Sequence, residues 1–406
     1  MRLKDACVDA GRYGVNVSPD EYRSSGIRML RTSDLTEDGL ASDDNGVFLD
    51  GPIPPTQVLF ENDLLVSRAG TIGRSYLVPR SGAGNTFAGF LIRFRPRREV
   101  NPRFLRYALR SKFTQDQIRA EAVMSTILNF NAERYANLRI PDTSGEEQRR
   151  IAEFLDDRVA RIDQIITARR AQISALEEIY LAWLGRLIDG LGARHGWAPL
   201  RRFVVAIEQG WSPEADSVPA LPGQPGVLKL GAVRGGSFDS GQNKAFLDGT
   251  VPREELRVLD GDLLVTRANT PGLVGDAAVA EGSDPMVYLS DLIYRLRTDR
   301  YGALLASAVL RTPRSRQMIS VIARGTSGSM PKLRGEDILN LTVPNAPFQD
   351  HAVLGKEDRE QRRARDERTA QLRESIHLIS EYKQSLITAA VTGEIDVTTA
   401  GSGIPG

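Results

Sequence analysis

Cysteine and histidine are scarce in this chain. Its 406 residues contain one cysteine, Cys7, so no intrachain disulfide can form. The three histidines, His195, His351 and His377, lie far apart and have no cysteine partners, and we therefore expect no metal site. A single cysteine fits a reducing compartment, which predicts a cytoplasmic location.

Long apolar runs are absent too. No segment approaches about 18 uncharged apolar residues, which predicts no membrane span. The first five residues begin no apolar stretch of the signal-peptide type. Charged residues make up 26% of the chain, but the formal net charge is only +1. This balance argues against extensive disorder and neither demands nor excludes a nucleic-acid partner.

Motifs of catalysis are missing as well. The chain has no Gly-x-x-x-x-Gly-Lys-Ser/Thr loop for nucleotide phosphates. It also lacks the Asn/Asp-Pro-Pro-Tyr/Phe run that adenine methyltransferases carry, since Asn101-Pro102 is followed by Arg103 and reads as the start of a helix. Glu381-Tyr382-Lys383 has the spacing of a nuclease fragment but falls in a heptad helix. We therefore expect no catalytic residues and no cofactor in this chain.

What the chain does have is a repeat of itself. Asp63-Leu64-Leu65-Val66-Ser67-Arg68-Ala69 returns about 200 positions later as Asp262-Leu263-Leu264-Val265-Thr266-Arg267-Ala268. This period is far longer than the roughly 20–50 residues of a solenoid unit. It predicts two copies of a whole module, over residues 1–143 and 193–346. Two similar modules suit a ligand with two sites in tandem, and DNA is the commonest such ligand.

Each module has the pattern of a mixed α and β domain. In the first, Leu64-Leu65-Val66 predicts a buried strand and residues 69–74 a tight turn. Helices are predicted at about 102–109 and 113–122, followed by a polar loop at 125–131 and a closing strand at 138–141. Trp197 is expected to anchor the second module to its core.

A long helix is predicted after the first module, over residues 144–192. Ser144 and Glu147 have the spacing of a capping box, and Gly190 and Gly192 are expected to end the helix. The spacing between its apolar residues alternates between four and three positions, which predicts a coiled-coil seam. The seam residues are Leu155, Val159, Ile162, Ile166, Ile173, Leu176, Tyr180, Trp183 and Leu187.

A second long helix is predicted over residues 347–392. Its later half carries Leu372, Ile376, Ile379 and Leu386 on the same steps. Its earlier half, residues 356–368, is almost entirely charged and has no seam. Residues 393–406 are rich in glycine, serine and threonine and are expected to form a flexible tail.

The order of these parts resembles the specificity subunit of type I restriction–modification systems. Three segments carry the resemblance: residues 63–74, Ile140-Pro141 with residues 146–156, and residues 386–396. It implies an α+β fold in which two similar target-recognition domains are separated by an antiparallel two-helix coiled coil, with pseudo-two-fold symmetry. The chain departs from the pattern where Thr71-Ile72-Gly73 becomes Pro271-Gly272-Leu273, and where the second helix lacks an apolar first half.

The resemblance also implies a function. Each domain would read one half of a split site in double-stranded DNA, and the helices would fix the spacing. A helix of about 35 residues rises roughly 50 Å, which is about one and a half turns of B-DNA. The chain would place two methyltransferase subunits, which use S-adenosylmethionine, and restriction subunits, which use ATP and Mg. The alternatives are a coiled-coil adaptor that binds only proteins, and an independent nuclease or methyltransferase.

Candidate DNA contacts lie at strand ends and in polar loops. Residues 64–141 contain fourteen Lys and Arg but four Asp and Glu, which favours a phosphate-binding face over a mixed surface. Arg68 and Arg267 occupy equivalent positions and could contact DNA or brace their modules. Arg74 lies in a turn and is expected to project outward, whereas the loop residues could read bases or simply form turns. The candidates are Arg68, Thr71, Arg74, Asn129, Asn131, Arg267, Asn269, Lys332 and Arg334.

Overall fold

A computed structural model describes residues 1–36, 39, 41–42, 44, 46–121, 129–282, 286–298, 302–323 and 330–399. The chain divides into two compact units, Met1–Arg169 with Arg373–Gly406, and Arg170–Leu372. Each unit therefore holds one predicted module together with one part of each long helix.

The first module combines strands and helices, as predicted. The strands are Arg12–Tyr13 (β1), Ile27–Leu30 (β2), Val47–Leu49 (β3), Leu64–Ser67 (β4), Ser75–Leu77 (β5), Thr86–Phe87 (β6) and Leu91–Phe94 (β7). The helices that follow are Pro102–Arg110 (α1), Lys112–Glu121 (α2), Ala132–Asn137 (α3) and Gly145–His195 (α4). Strand β4 lies inside a sheet of order β1-β7-β4-β5, and β3-β2-β6 form a second sheet.

Strand β4 is the centre of the first module. All four of its residues are buried, as its apolar sequence predicts. Asp63 precedes the strand and accepts hydrogen bonds from Nε and Nη2 of Arg95, at 2.7 and 2.8 Å. This bidentate ion pair balances the buried carboxylate, whose burial would otherwise be costly.

Helices α1 and α2 confirm two local predictions. The Asn101 side chain accepts from the backbone N–H groups of Arg103 and Phe104 and so caps α1, with Pro102 at its first position. Helix α2 ends at Glu121, so position 122 of the prediction and positions 125–128 of the predicted loop lie outside the described residues.

The closing strand predicted at 138–141 is wrong. Only a bridge between Arg2 and Arg139 forms there, supported by hydrogen bonds from Leu3 N to Leu138 O and from Ile140 N to Met1 O. The next residue is a proline, which has no N–H with which to extend the pairing. The segment before the bridge is the short helix α3, which lies between the predicted loop and the predicted strand and was not predicted.

The second module repeats the first. Its strands are Trp197–Pro199 (β8), Val204–Gln209 (β9), Gly226–Leu228 (β10), Val233–Arg234 (β11), Ser237–Phe238 (β12), Asn243–Ala245 (β13), Leu263–Thr266 (β14), Ala277–Val279 (β15), Val287–Tyr288 (β16), Ile293–Thr298 (β17) and Thr342–Pro344 (β18). Its helices are Gly302–Arg311 (α5), Pro313–Ile322 (α6), Gly335–Leu339 (α7) and Phe348–Thr392 (α8). The sheet order β15-β14-β17-β9 matches β5-β4-β7-β1, which confirms that a whole module is duplicated.

Helix α4 ends later than predicted. Gly190 and Gly192 lie inside the helix, which continues to His195. Gly196 ends it with a φ of +75°, a conformation that glycine adopts without strain. Gly192 is needed for packing instead, because a Cβ there would lie 2.2 Å from the indole of Trp197. Trp197 itself packs on the core of the second unit, as predicted.

The two long helices run antiparallel within each unit. In the first unit, Leu155 and Val159 share a core with Ile387 and Val391, whereas the later Asp163 accepts from Nζ of the earlier Lys383 at 2.7 Å. In the second unit, Glu177 pairs with Arg365 and Tyr180 with Asp358. A higher residue number in α4 thus contacts a lower one in α8, as antiparallel helices require. The capping bond at the start of α4 is present from Glu147 N to the Ser144 hydroxyl at 3.2 Å.

The seam prediction for α4 holds in the first unit and shifts in the second. Leu155, Val159, Ile162 and Ile166 are buried, but Trp183 and Leu187 are only half-buried. The buried positions there are Tyr180, Leu184, Ile188 and Leu191. A straight helix drifts from a strict heptad by about 20° per repeat, and this part of α4 also packs on the core of the second module.

The tail prediction is also wrong for the described residues after α8. Ile395 and Val397 pack on the core of the first unit, together with Leu3, Phe94 and Leu155. The apolar side chains hold this segment against the module. Residues 400–406 of the predicted tail lie outside the described residues.

Candidate nucleic-acid interface

The turn after β4 is closed by the hydroxyl of the last strand residue. Ser67 Oγ donates to the carbonyl of Thr71 and accepts from the N–H of Arg74 at 3.2 Å. Gly73 at the end of the turn has a φ of +84° and donates to the Tyr135 hydroxyl at 3.0 Å. The turn is therefore fixed to the module on both sides, with Thr71 exposed at its tip.

The second module closes its turn in the same way despite the altered sequence. Thr266 Oγ1 donates to Leu273 O at 2.8 Å and accepts from Asp276 N at 3.0 Å. Arg316 donates to the carbonyls of Val274 and Gly272 at 2.7 and 2.9 Å. The change from Thr71-Ile72-Gly73 to Pro271-Gly272-Leu273 therefore alters the tip of the turn but keeps its base.

Arg68 follows β4 and is held by its backbone on two sides. Its N–H donates to Phe90 O at 2.9 Å, and its carbonyl accepts from Phe130 N at 2.8 Å. Its side-chain Nε donates to Asn129 Oδ1 at 3.1 Å, and its guanidinium lies 5.1 Å from the ring centre of Tyr13. Among the described residues, no carboxylate oxygen lies within 4 Å of Arg68, so its charge is available to an outside anion or acceptor.

Arg267 takes the same place after β14. Its backbone pairs with Leu292 and Leu333 as that of Arg68 pairs with Phe90 and Phe130. Its side chain differs, because Nε donates to the Tyr294 hydroxyl at 3.1 Å and Nη1 reaches the Asp291 carbonyl at 3.5 Å. This guanidinium is therefore more fully engaged with its own module.

Each arginine is followed by a residue that bridges to an exposed polar position on another segment. A backbone bridge joins Ala69 to Asn129 in the first module and Ala268 to Lys332 in the second. Asn129 and Lys332 are both exposed at equivalent positions. We term Arg68 with Asn129 the first reading edge and Arg267 with Lys332 the second reading edge.

Three of the candidate residues serve the scaffold. Arg74 was expected to project outward, but it is half-buried and donates from Nη1 to the Leu35 carbonyl at 2.9 Å. Asn131 caps α3 by accepting from Arg134 N at 2.9 Å. Asn269 is buried, and its Oδ1 accepts from the next backbone N–H at 2.9 Å. Each of these side chains therefore hydrogen-bonds to the backbone of its own module.

Two further residues border the reading edges. Arg334 is exposed and precedes α7, where its N–H donates to Asp337 Oδ2 at 3.1 Å. Phe90 is 61% exposed, an unusual position for an aromatic ring, and its carbonyl binds Arg68 N. Neither Phe90 nor Tyr13 was among the predicted contacts, since only the sheet pairing brings β1 and the start of β7 beside the end of β4.

Charges deeper in the first sheet are paired, in contrast with Arg68. Arg93 donates to Asp9 Oδ2 at 2.8 Å, and burial together with the neighbouring Arg95 lowers the pKa of its guanidinium. The hydrogen bond from Arg95 to Asp63 outweighs burial and raises the pKa of Arg95. These arginines serve folding, whereas the half-buried Arg68 has no carboxylate partner among the described residues.

The described residues indicate neither a metal site nor a bilayer span. In the described ranges, no group of three or more His, Cys, Asp or Glu side chains is placed to hold a metal ion. No helix of those ranges has both the length and the apolar character that crossing a bilayer requires.

Comparisons with known proteins find similarity over part of the chain. Residues 55–175 match the family model of the type I restriction modification DNA specificity domain. A 155-residue stretch is 27% identical to the type I restriction enzyme EcoEI specificity subunit of Escherichia coli, covering 37% of this chain and 26% of that protein. The match thus spans about a quarter of that relative's length.

A solved structure shares the fold. A chain from a study of complex assembly and conformational transition of the type I R-M system aligns with a TM-score of 0.66 at 16% identity, over 97% of both chains. The HsdS subunit from Thermoanaerobacter tengcongensis aligns over 97% of this chain and 96% of its own at 17% identity, with a TM-score of 0.44. The first of these likenesses confirms the predicted α+β fold with two similar domains and an antiparallel helix pair. The resemblance inferred from the sequence is therefore confirmed: residues 55–175 are similar to the DNA specificity domain of type I restriction modification systems.

Proposed function

We propose that this chain is the DNA-reading subunit of a type I restriction–modification complex and that each module reads one half of a bipartite site. One observation carries the proposal: the same arginine follows the same central strand in both modules, beside an exposed polar residue on the bridging loop. Polar groups on loops that a rigid sheet positions are suited to ligand readout. Duplicated reading edges require a ligand with two comparable sites, which a split duplex sequence provides.

The chain itself has no catalytic role in this proposal. It positions two methyltransferase subunits, which bind S-adenosylmethionine, and restriction subunits, which use ATP and Mg, and the complex works in the cytoplasm. Each unit carries its own antiparallel helix pair, so each can offer a similar surface to a methyltransferase subunit. Within each unit the helices pair with one another in one chain, which argues against an adaptor that zips to a second copy.

The test is selection from a randomised duplex library by the full chain together with its methyltransferase subunit. We expect the retained duplexes to share two short clusters of fixed base pairs, separated by a constant number of unread pairs. Retained duplexes without any shared sequence would refute DNA readout and favour the protein-binding adaptor. Methyl transfer or cleavage by the purified chain alone would instead refute the non-catalytic role.

A further inference from the structure

We propose that Arg68 reads a guanine in the half-site of the first module and that Asn129 positions Arg68 instead of reading adenine itself. The proposal rests on the proposed DNA-binding function and assigns one base to one side chain. The internal hydrogen bond of the first reading edge leaves certain donors and acceptors unused. The proposal follows from the match between these groups and the base edges of DNA.

The internal bond of the edge uses the only acceptor that the two side chains possess. Asn129 Oδ1 accepts from Arg68 Nε at 3.1 Å. An asparagine that recognises adenine needs both its oxygen, for the adenine N6 amino group, and its nitrogen, for N7. One of the two lone pairs of Oδ1 is taken by Arg68 Nε, which holds this oxygen against the arginine and makes Asn129 less suited to that pattern than an unengaged asparagine.

Most of the remaining hydrogen-bonding groups of the edge are donors. Arg68 keeps the N–H groups of Nη1 and Nη2, since no described residue accepts from them, and guanidinium has no acceptor of its own. Guanine presents two acceptors in the major groove, O6 and N7, whereas adenine presents the N7 acceptor beside the N6 donor. A cluster of donors therefore matches guanine, and it would place an N–H against the N6–H of adenine.

The Arg68 side chain is also held in place before DNA arrives. Its guanidinium lies 5.1 Å from the Tyr13 ring centre, and the Tyr13 hydroxyl is fixed in turn by the backbone N–H of Ala132 at 3.0 Å. A side chain ordered in advance loses less conformational freedom on binding. Nε is used for positioning, and the two terminal nitrogens form the fork that suits a bidentate contact.

The second reading edge differs and supplies a matched control. Arg267 uses Nε on the Tyr294 hydroxyl and directs Nη1 at the Asp291 carbonyl, so its fork is partly occupied. The neighbouring Ala268 bridges to Lys332, whose side chain has only donors and offers no amide oxygen to position the arginine. Arg68→Lys and Arg267→Lys are therefore the same chemical change at two edges of different construction.

The first experiment repeats the library selection with Arg68→Lys and Arg267→Lys, each as the full chain with its methyltransferase subunit. Lysine keeps the positive charge but loses the bidentate fork. We expect Arg68→Lys to reduce the preference for guanine over adenine at one position of one half-site by roughly 5- to 150-fold, with the rest of the site unchanged. Arg267→Lys should leave the guanine preference at that position of the DNA site unchanged. A thermal unfolding scan establishes that both variants fold.

The second experiment changes the DNA instead of the protein. Replacing the guanine at that position by 7-deazaguanine removes the N7 acceptor and keeps Watson–Crick pairing. We expect wild-type binding to this duplex to weaken about 10-fold, and binding of Arg68→Lys to be nearly unaffected by the same replacement, because its contact is already lost.

The outcomes separate this inference from the proposed function. If the wild-type chain selects a bipartite site, and Arg68→Lys retains every guanine preference, then Arg68 contacts only phosphate and the inference is wrong while the function stands. Indifference of the wild-type chain to 7-deazaguanine at every guanine of the site would overturn it as well. If the wild-type chain selects no sequence, the proposed function itself fails.

Discussion

Arg311 Nη2 donates to Asp358 Oδ2 at 2.7 Å, and both side chains are almost completely buried. The Tyr180 hydroxyl donates to the other oxygen of Asp358 at 2.6 Å, and Arg362 Nε lies 3.3 Å from Oδ2. We term Tyr180, Arg311, Asp358 and Arg362 the polar cluster. It joins α4, α5 and α8 within the second unit, in the stretch of α8 where the sequence shows no apolar seam.

We predict that Asp358→Asn lowers the free energy of unfolding of the second unit by about 3–5 kcal/mol, because it leaves the Arg311 charge buried without its counter-ion. All three tryptophans, Trp183, Trp197 and Trp211, belong to this unit, so tryptophan fluorescence during urea unfolding reports on it.

The matched control is Glu367→Gln on the same helix. Glu367 pairs with Arg363 at 2.8 Å, but both side chains are more than half exposed. Exposed pairs contribute about 0–1 kcal/mol, so this variant should unfold almost as the wild type does. Equal effects of the two substitutions would contradict a stabilising role for the polar cluster.

The polar cluster also predicts acid sensitivity. Burial alone would raise the pKa of Asp358, but the Arg311 charge and the hydrogen bonds of Arg311 and Tyr180 outweigh it and hold the pKa below its usual value of about 3.9. A carboxyl group with a lowered folded-state pKa stabilises the fold above its unfolded pKa, and this contribution is lost as the pH falls through the folded value.

We therefore expect the tryptophan-reported stability of the second unit to fall as the pH drops below about 4. Urea unfolding between pH 6 and pH 2.5 measures this dependence. In Asp358→Asn the fall should be shallower, since the group responsible is gone. An identical pH slope in the variant would show that other carboxyl groups cause the acid loss.

The polar cluster illustrates what the sequence could and could not predict. The buried strands β4 and β14 and the helix starting at Pro102 were predictable, because apolar runs and caps are local signals. The pairing of Arg311 with Asp358 joins residues on separate helices, and a charged stretch reads equally well as a solvated surface. The orientation of the Arg74 side chain could not be predicted for the same reason, because the carbonyl to which it donates belongs to Leu35, which is distant in sequence.

Asn129 and Asn131 looked alike in the sequence, and we predict that their alanine variants behave differently. Asn131→Ala removes the cap of α3 and should cost about 0.5–2 kcal/mol. Hydrogen exchange of the α3 amides should accelerate, with no change in the DNA sequence selected. Asn129→Ala should leave α3 protected and instead weaken the guanine preference assigned to Arg68. Loss of base preference in Asn131→Ala, with α3 still protected, would reverse these roles.

Gly190 and Gly192 lie two residues apart in α4, and we predict opposite effects of alanine at the two sites. A Cβ at Gly190 meets nothing within 4 Å, so alanine should stabilise the helix by about 0.5–1 kcal/mol. A Cβ at Gly192 would lie 2.2 Å from the Trp197 indole and force that ring to move, which should cost about 1–3 kcal/mol. Urea unfolding followed by tryptophan fluorescence measures both changes, and the Trp197 emission should shift only in Gly192→Ala. Stabilisation by alanine at both positions would mean that Trp197 does not pack against Gly192.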